Sequence, residues 1–337
     1  MTLKTRFMRV NPEAPEEDTI RKAARVLRRG GLVAFPTETV YGLGADALNA
    51  EAVQAIFVAK GRPLDNPIIV HVAGVEELKL TTDDITTEQE ALADKFWPGP
   101  LTMIFKKSAR LPAAVTAGRN TVAVRMPRNE VALALIKAAG NPVAAPSANL
   151  SGRPSPTAAE HVFEDLNGRI QLILDGGPVE VGLESTVLDT SRRPPVILRP
   201  GAITREELEI LIGPVAMGGK GQLLARSPGT RHRHYSPRAR VILAAENDVS
   251  AISHLVEQHR QGGRKMGVIL HNPMPIEDEP MVRVRILPNE LDQLARQLFA
   301  AMRELDQMDV EVMIIEKTRE EGIGAAVMDR LTRAASS

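Results

Sequence analysis

Two short segments near the N-terminus carry side chains suited to holding a small anionic molecule. Residues 36–42 (PTETVYG) end an apolar stretch with a hydroxyl-rich turn, and residues 60–63 (KGRP) follow with two cations beside a rigid bend. Hydroxyl and cationic groups stabilise negative charge by hydrogen bonding and electrostatics. Lys60 and Arg62 are therefore candidate anion ligands. The alternative is a solvated pair at a helix C-terminus, where cations are favoured.

Two arginines end apolar strand-like segments further along the chain. Arg125 follows VAV and Arg199 follows VIL, and in each case a proline comes shortly afterwards. A guanidinium at the mouth of a buried strand needs an anionic partner, because burying an unpaired charge is costly. That partner is either an internal carboxylate or a bound ligand, and the sequence leaves both open.

Hydroxyl and amide side chains also follow strand-like segments. Ser147 and Asn149 lie in residues 145–149 (APSAN), and Ser185 lies in residues 182–186 (GLEST). A single loop serine is more often a turn former than a ligand. Several such groups at strand ends, together with the cations, favour a binding pocket at the carboxyl edge of a sheet. His71, inside an apolar run, is either a core histidine or a ligand.

Other classes of site are excluded or disfavoured by the composition. The chain has no cysteine, which removes disulfides, thiolate metal sites and cysteine nucleophiles. Residues 42–47 (GLGADA) fit a dinucleotide fingerprint only weakly, because the turn would fall in the wrong place. His232 and His234 are two residues apart, a poor spacing for a metal pair on a helix. The net charge of zero and the aromatic fraction of 3% weigh against RNA as the main ligand.

The length of 337 residues suits two domains. The first, residues 1–212, alternates strands and helices irregularly and is predicted to form a twisted, mixed α/β sheet. The segment 213–240 is basic and rich in small residues, which is typical of a linker. Residues 241–337 alternate strands and helices regularly, which predicts a smaller Rossmann-like βα domain with a parallel sheet. No secretory signal and no apolar run of about 20 residues is present, so we expect a cytoplasmic protein without a membrane segment.

Periodicity and capping motifs predict the helices that would support the strand ends. Helices are expected over 17–29, 51–60 and 131–139. The pairs Thr157 with Glu160 and Thr204 with Glu207 match capping boxes and predict helices over 158–166 and 205–212. In the C-terminal domain, helices are expected over 249–261, 289–306 and 322–334.

The set of motifs resembles the YrdC-like L-threonylcarbamoyladenylate synthases. The resemblance covers about 10–212 and is carried by the segments 36–42, 60–63, 97–102, 121–127, 145–149, 182–186 and 198–201. Residues 227–237 (SPGTRHRHYSP) resemble the linker of the long, two-domain form. The C-terminal domain matches only loosely, and no site residue is assigned to it.

The resemblance implies a reaction in which L-threonine, bicarbonate and ATP give threonylcarbamoyl-adenylate and pyrophosphate. The product would feed the machinery that transfers the threonylcarbamoyl group to tRNA. The residue types fit this chemistry, because carbamate formation and in-line attack on phosphorus need positioning and charge neutralisation rather than an enzyme nucleophile.

The resemblance also implies roles for individual residues. Lys60 and Arg62 would stabilise phosphate and transition-state charge. Threonine and its carbamate would be held by Thr37, His71, Arg125, Ala145 and Ser185. ATP would be held by Lys60, Leu64, Thr121, Ser147, Ser155, Arg199 and Tyr235, with Leu64 and Ala145 acting through backbone groups, and Asn149 is added from its position. Mg²⁺ is expected to arrive with ATP, since no carboxylate cluster indicates a protein cage.

Three questions stay open at this point. The basic linker 213–240 is a candidate lid that would exclude water from the adenylate. The alternative function is an RNA- or tRNA-binding module without adenylation activity, and a weak tRNA contact is compatible with either function. Serine differs from threonine by one methyl group, which a hydrophobic contact discriminates by only about 1–3 kcal/mol.

Overall fold

Two β-sheets organise the computed structural model, which describes residues 3–218 and 235–336. The larger sheet has eleven strands in the described residues and mixes parallel and antiparallel pairs, and the smaller has four. The mixed α/β class predicted from the sequence is confirmed. None of the helices in these two ranges is long and apolar enough to cross a membrane.

The larger sheet is built from the first half of the chain and some residues beyond it. Its strands are β1 (Arg6–Arg9), β2 (Val33–Phe35), β3 (Gly42–Asp46), β4 (Ile69–His71), β5 (Leu101–Lys106), β6 (Thr121–Arg125), β7 (Val143–Ala144), β8 (Leu172–Asp175), β9 (Thr186–Asp189), β10 (Val196–Arg199) and β11 (Ala216–Met217). Their order is β1-β8-β2-β3-β7-β4-β6-β5-β9-β10-β11. The last strand pairs with β10, so the sheet extends into the segment predicted as linker.

The helices that pack against this sheet include some that were predicted and some that were not. They are α1 (Glu17–Arg28), α2 (Ala50–Lys60), α3 (Val75–Thr81), α4 (Thr87–Phe96), α5 (Ala113–Thr116), α6 (Glu130–Ala139), α7 (Ala159–Leu166) and α8 (Arg205–Ile212). The capping box of Thr204 is confirmed. The prediction of a capping box at Thr157 is wrong. The N-cap of α7 is Ala158, which provides no side-chain cap, and the Thr157 amide donates to His161 Nδ1.

The segment 42–47 forms a strand and not a turn into a helix. Gly42–Asp46 is β3, antiparallel to β2, so it does not have the geometry of a dinucleotide fingerprint. The reason for glycine at position 44 is packing. A Cβ there would lie 2.8 Å from the ring of Phe35 and 2.9 Å from a methyl group of Val143.

The smaller sheet is all parallel, as the sequence predicts. Its strands are β12 (Arg240–Ala244), β13 (Met266–Leu270), β14 (Val282–Ile286) and β15 (Val312–Glu316), in the order β12-β15-β13-β14. Its helices are α9 (Val249–Gln261), α10 (Leu291–Gln307) and α11 (Gly324–Ala335). Separate apolar clusters lie on its two faces, one with α9 and the other with α10 and α11.

The loop before β9 packs directly against the C-terminal domain. Leu183 is fully buried in the apolar cluster of α10 and α11. Gly182 has a φ of +83°, and a Cβ there would lie 2.4 Å from the Cα of Arg296. The close approach therefore requires glycine. The predicted linker 213–240 is described only at its two ends, since residues 219–234, with His232 and His234, lie outside the described residues.

Candidate active site

Several strand ends of the larger sheet surround a cleft with an empty volume of about 500 Å³, part of which is open to solvent. Eight of the predicted site residues line it: Thr37, Arg62, His71, Arg125, Ala145, Ser147, Ser185 and Arg199. Parallel pairing of β4 with β6 puts His71 directly beside Arg125. The cleft thus gathers three guanidinium groups from segments that are far apart in the sequence.

At one end of the cleft, Arg125 has an internal anionic partner. Its guanidinium forms a buried ion pair with Glu38 and donates to Thr39 Oγ1 at 2.9 Å and to Gly99 O at 3.2 Å. Burial lowers the pKa of Arg125, and the Glu38 carboxylate opposes that shift. Sequence reasoning missed Glu38, although it lies inside the segment 36–42 that was singled out.

Thr37 and His71 complete this end of the cleft. Thr37 Oγ1 donates to Val40 O at 2.7 Å and lies 2.8 Å from Thr39 Oγ1, so the hydroxyl fixes the turn and contributes to the cleft wall. Burial, with a smaller contribution from Arg125, lowers the pKa of His71 to about 3, which keeps the ring neutral. Among the described residues its Nδ1 has no hydrogen-bond partner.

On another wall of the cleft, Arg199 holds the backbone of Ser185. Its Nε and Nη2 donate to Ser185 O at 3.1 and 3.0 Å, and Nη2 also donates to Ser185 Oγ at 3.2 Å. The close approach of this loop depends on Gly201. A Cβ there would lie 2.2 Å from the amide nitrogen of Thr186.

Arg62 is held by carbonyl groups rather than by a carboxylate. Its Nε donates to Asn66 O at 3.2 Å and its Nη2 to Pro67 O at 2.7 Å. Burial lowers the pKa of Arg62 to about 10, so the group is still cationic near neutral pH. No ion pair of Arg62 is found within the described ranges, and this cation is therefore available to an anionic ligand.

Lys60 lies behind the wall of the cleft, since it is buried but does not line it. Its Nζ donates to Ser147 O at 2.6 Å, to Asn149 O, and to Asn149 Oδ1 at 3.4 Å. Burial lowers its pKa well below the usual value. Ser147 Oγ in turn donates to Asn149 Oδ1 at 2.6 Å, so these three residues form one network.

Ser155 and Tyr235 are joined to the cleft through Glu184. The Ser155 hydroxyl donates to Glu184 Oε1, and Glu184 lines the cleft. Arg330 of α11 donates to Glu184 Oε2 at 2.9 Å and lies over the ring of Tyr235. Burial raises the pKa of Tyr235 to about 12. Sequence reasoning missed both Glu184 and Arg330.

Leu64 and Thr121 do not line the cleft, and Ala145 lines it with a backbone amide that is already bonded. Leu64 is 64% exposed. Thr121 begins β6 and shares a face with Arg125, about 13 Å away along the strand, and it does not line the cleft. The amide of Ala145 already donates to Ile69 O at 2.9 Å, so a backbone contact of Ala145 with a ligand would have to use its carbonyl.

The carboxylates near the cleft do not form a cation cage. Glu38 is paired with Arg125, and Glu184 is paired with Arg330. In the part of the chain that the structure describes, no group of three or more histidine, aspartate or glutamate side chains could hold a metal ion. The three guanidinium groups that line the cleft suit an anionic ligand.

The fold and the cleft define an α/β protein that gathers cationic and hydroxyl side chains at strand ends, with a second, parallel-sheet domain against the cleft. A family model described as "Telomere recombination" (Sua5, YciO and YrdC proteins) matches residues 25–201. A second one, described as "Threonylcarbamoyl-AMP synthase, C-terminal domain", matches residues 203–336. The chain belongs to the Sua5/YciO/YrdC family.

Relatives named threonylcarbamoyl-AMP synthase align with nearly the whole chain. A threonylcarbamoyl-AMP synthase of Pyrococcus abyssi is 47% identical over 96% of this chain and 95% of the relative. One of Bacillus subtilis is 45% identical over 99% of this chain and 98% of the relative. The crystal structure of P. abyssi Sua5 complexed with L-threonine superposes with a TM-score of 0.93 at 46% identity, covering 98% of each chain.

Proposed function

We propose that this chain is an L-threonylcarbamoyladenylate synthase, which makes threonylcarbamoyl-adenylate and pyrophosphate from L-threonine, bicarbonate and ATP. The observation that carries this is the convergence of Arg62, Arg125 and Arg199 on one cleft. The relatives named as threonylcarbamoyl-AMP synthases, which match over both domains, support the same reaction.

The end of the cleft with Arg125 and Glu38 suits the amino acid. Three of the five N–H groups of the Arg125 guanidinium are used by Glu38, Thr39 and Gly99. The two that remain can receive the threonine carboxylate. The amine attacks the carbon of bicarbonate, a proton and a hydroxide leave as water, and a carbamate is formed.

The other cations suit the nucleotide. A carbamate oxygen attacks the α-phosphorus of ATP, the bond to the β-phosphate oxygen breaks, and pyrophosphate leaves with the electron pair. Arg62 and Arg199 neutralise charge that develops on the phosphates, and Ser147 and Ser155 hold the nucleotide. For Lys60 to reach a phosphate, its ammonium group must exchange the carbonyls of Ser147 and Asn149 for phosphate oxygens.

Mg²⁺ enters this proposal as part of the substrate, bound to the phosphates of ATP. The donor groups around the cleft support that assignment, because both nearby carboxylates are paired with arginines. Downstream, the product would be passed to the tRNA threonylcarbamoyl-transfer machinery. A cytoplasmic location, a weak tRNA contact and the lid formed by 213–240 stay predictions.

Pyrophosphate release by the purified protein tests this function. We expect release that requires ATP, L-threonine and bicarbonate together and falls at least 100-fold in Lys60→Ala. Lys137→Ala, a lysine in the last turn of α6 outside the cleft, is the matched control. Release without threonine would indicate another acceptor. Absence of release, with tRNA binding that weakens steeply with salt, would support the RNA-binding alternative.

A further inference from the structure

One buried arginine of the C-terminal domain reaches the wall of the cleft. The side chain of Arg330 is fully buried. Its Nε donates to Glu184 Oε2 at 2.9 Å, and its Nη2 lies 3.4 Å from Glu184 O. Its guanidinium carbon is 5.3 Å from the centroid of the Tyr235 ring, a distance typical of a cation–π contact.

Glu184 is an unexpected residue in a cleft that receives a polyphosphate. A carboxylate on the wall repels the negative charge of ATP unless a cation neutralises it. Arg330 supplies such a cation, and its ion pair with Glu184 is shielded from water. Held in place by Arg330, Glu184 accepts a hydrogen bond from the Ser155 hydroxyl and fixes that side chain.

We propose that Arg330 is a positioning residue for the nucleotide, supplied by the C-terminal domain and acting through Glu184. This proposal about Arg330 rests on the proposed function, because it assumes that ATP occupies this cleft. It gives the C-terminal domain a specific part in the reaction: α11 neutralises one wall of a cleft that is otherwise built by the larger sheet.

A purely architectural role for Arg330 is the competing explanation, and Arg303 separates the two. Arg303 of α10 is also buried and crosses the same domain contact, donating to Pro154 O at 2.6 Å and to Asp165 Oδ2 at 2.7 Å. Among the described residues it is bonded to neither Glu184 nor Tyr235. Arg303→Met therefore weakens the domain contact without exposing a charge in the cleft.

The test is titration calorimetry with MgATP and, separately, with L-threonine. We expect Arg330→Met to weaken ATP binding at least tenfold and threonine binding less than threefold, and Arg303→Met to change both less than threefold. If Arg330 acts through Glu184, the ATP affinity of the double variant Glu184→Gln/Arg330→Met should be within threefold of the affinity of Glu184→Gln alone. The double variant also lacks the carboxylate that Arg330 pairs with, so it remains informative if Arg330→Met fails to fold.

The outcomes separate this inference from the proposed function. If the unaltered protein does not bind MgATP, the proposed function fails. If it binds MgATP but Arg330→Met binds equally well, the inference is wrong. It is also wrong if Arg303→Met loses as much affinity as Arg330→Met, or if the double variant binds at least tenfold more weakly than Glu184→Gln.

Discussion

Two arginines that line the cleft are both buried but have different partners. Arg125 is 3% exposed and is paired with the Glu38 carboxylate, whereas Arg62 is 7% exposed and donates to the carbonyls of Asn66 and Pro67. Arg125 therefore has an internal counter-charge, whereas Arg62 has no ion-pair partner among the described residues.

This difference matches the two kinds of ligand that the reaction needs. The carboxylate of an amino acid can bind the two N–H groups of Arg125 that its internal contacts leave unused. A polyphosphate carries only negative charge and is complementary to Arg62. Burial of a cation without a carboxylate costs folding free energy, and a bound anion offsets that cost.

Removing Arg125 is expected to have the largest effect on stability. Arg125→Met leaves the Glu38 carboxylate buried and unpaired, which should lower the free energy of unfolding by about 3–5 kcal/mol. Urea unfolding measures the loss. Arg128→Met, an exposed arginine just after the same strand, is the control and should change stability by less than about 0.5 kcal/mol.

A double variant that also neutralises Glu38 tests whether the unpaired Glu38 carboxylate causes that loss of stability. Glu38→Gln/Arg125→Met contains no unpaired charge, so it should regain at least half of the lost stability but not threonine-dependent pyrophosphate release. Equal instability of the single and double variants would contradict the account of this end of the cleft.

Removing Arg62 should chiefly impair the use of ATP. Arg62→Met removes a donor from two carbonyls but breaks no ion pair among the described residues, so the protein should fold. Loss of a charge-assisted contact of about 1.5–3 kcal/mol corresponds to roughly a 10- to 150-fold rise in the KM for ATP. Steady-state pyrophosphate release at saturating threonine measures it. A comparable rise in the KM for threonine would contradict the distinction between Arg62 and Arg125. Arg110→Met, which removes an exposed arginine outside the cleft, is the control for surface charge.

The pH dependence of stability tests whether the His71 ring beside Arg125 is neutral in the folded protein. Burial, followed by Arg125, lowers the pKa of His71 to about 3 in the folded protein, against 6.5 ordinarily. Between these values the unfolded chain binds a proton that the folded chain does not. Stability that is complete above pH 6.5 is therefore lost as the pH falls towards 3, by about 2 kcal/mol from this residue at pH 5.

His71→Gln should reduce the difference in unfolding free energy between pH 7.5 and pH 5 by about that amount. The remaining dependence has a contribution from His161, whose pKa burial lowers to about 4. His254→Gln, an exposed histidine on α9, serves as the control. An unchanged pH dependence in His71→Gln would mean that the ring is not held neutral in the cleft wall.

Sequence periodicity and capping motifs predicted those helices and strands that depend on residues close together in the sequence. The parallel sheet of the C-terminal domain and the α8 capping box followed from periodicity and from side chains three residues apart. The pairs that give the cleft its charge pattern were not predictable in this way. Glu38 and Arg125 are 87 positions apart, and Glu184 and Arg330 are 146 apart in different domains. Their pairing depends on strand order and domain docking, which one sequence does not specify.

The two threonines predicted as caps give the smallest test of how far local sequence determines local structure. Thr204 accepts the amide of Glu207, whereas Thr157 lies one residue before the N-cap of α7. Thr204→Val should therefore lower the free energy of unfolding by about 1 kcal/mol, and Thr157→Val by less than half as much. Valine removes the hydroxyl and keeps the methyl group, so packing is matched in both variants.

Thr86→Val is the reference for this last comparison, because Thr86 caps α4 through a capping box with Gln89. Its loss in urea unfolding should equal that of Thr204→Val. A loss of similar size in Thr157→Val would mean that residue 157 caps α7 in solution. The same motif would then give the same local structure at all three positions, and the local contact between Thr157 and His161 would not override it.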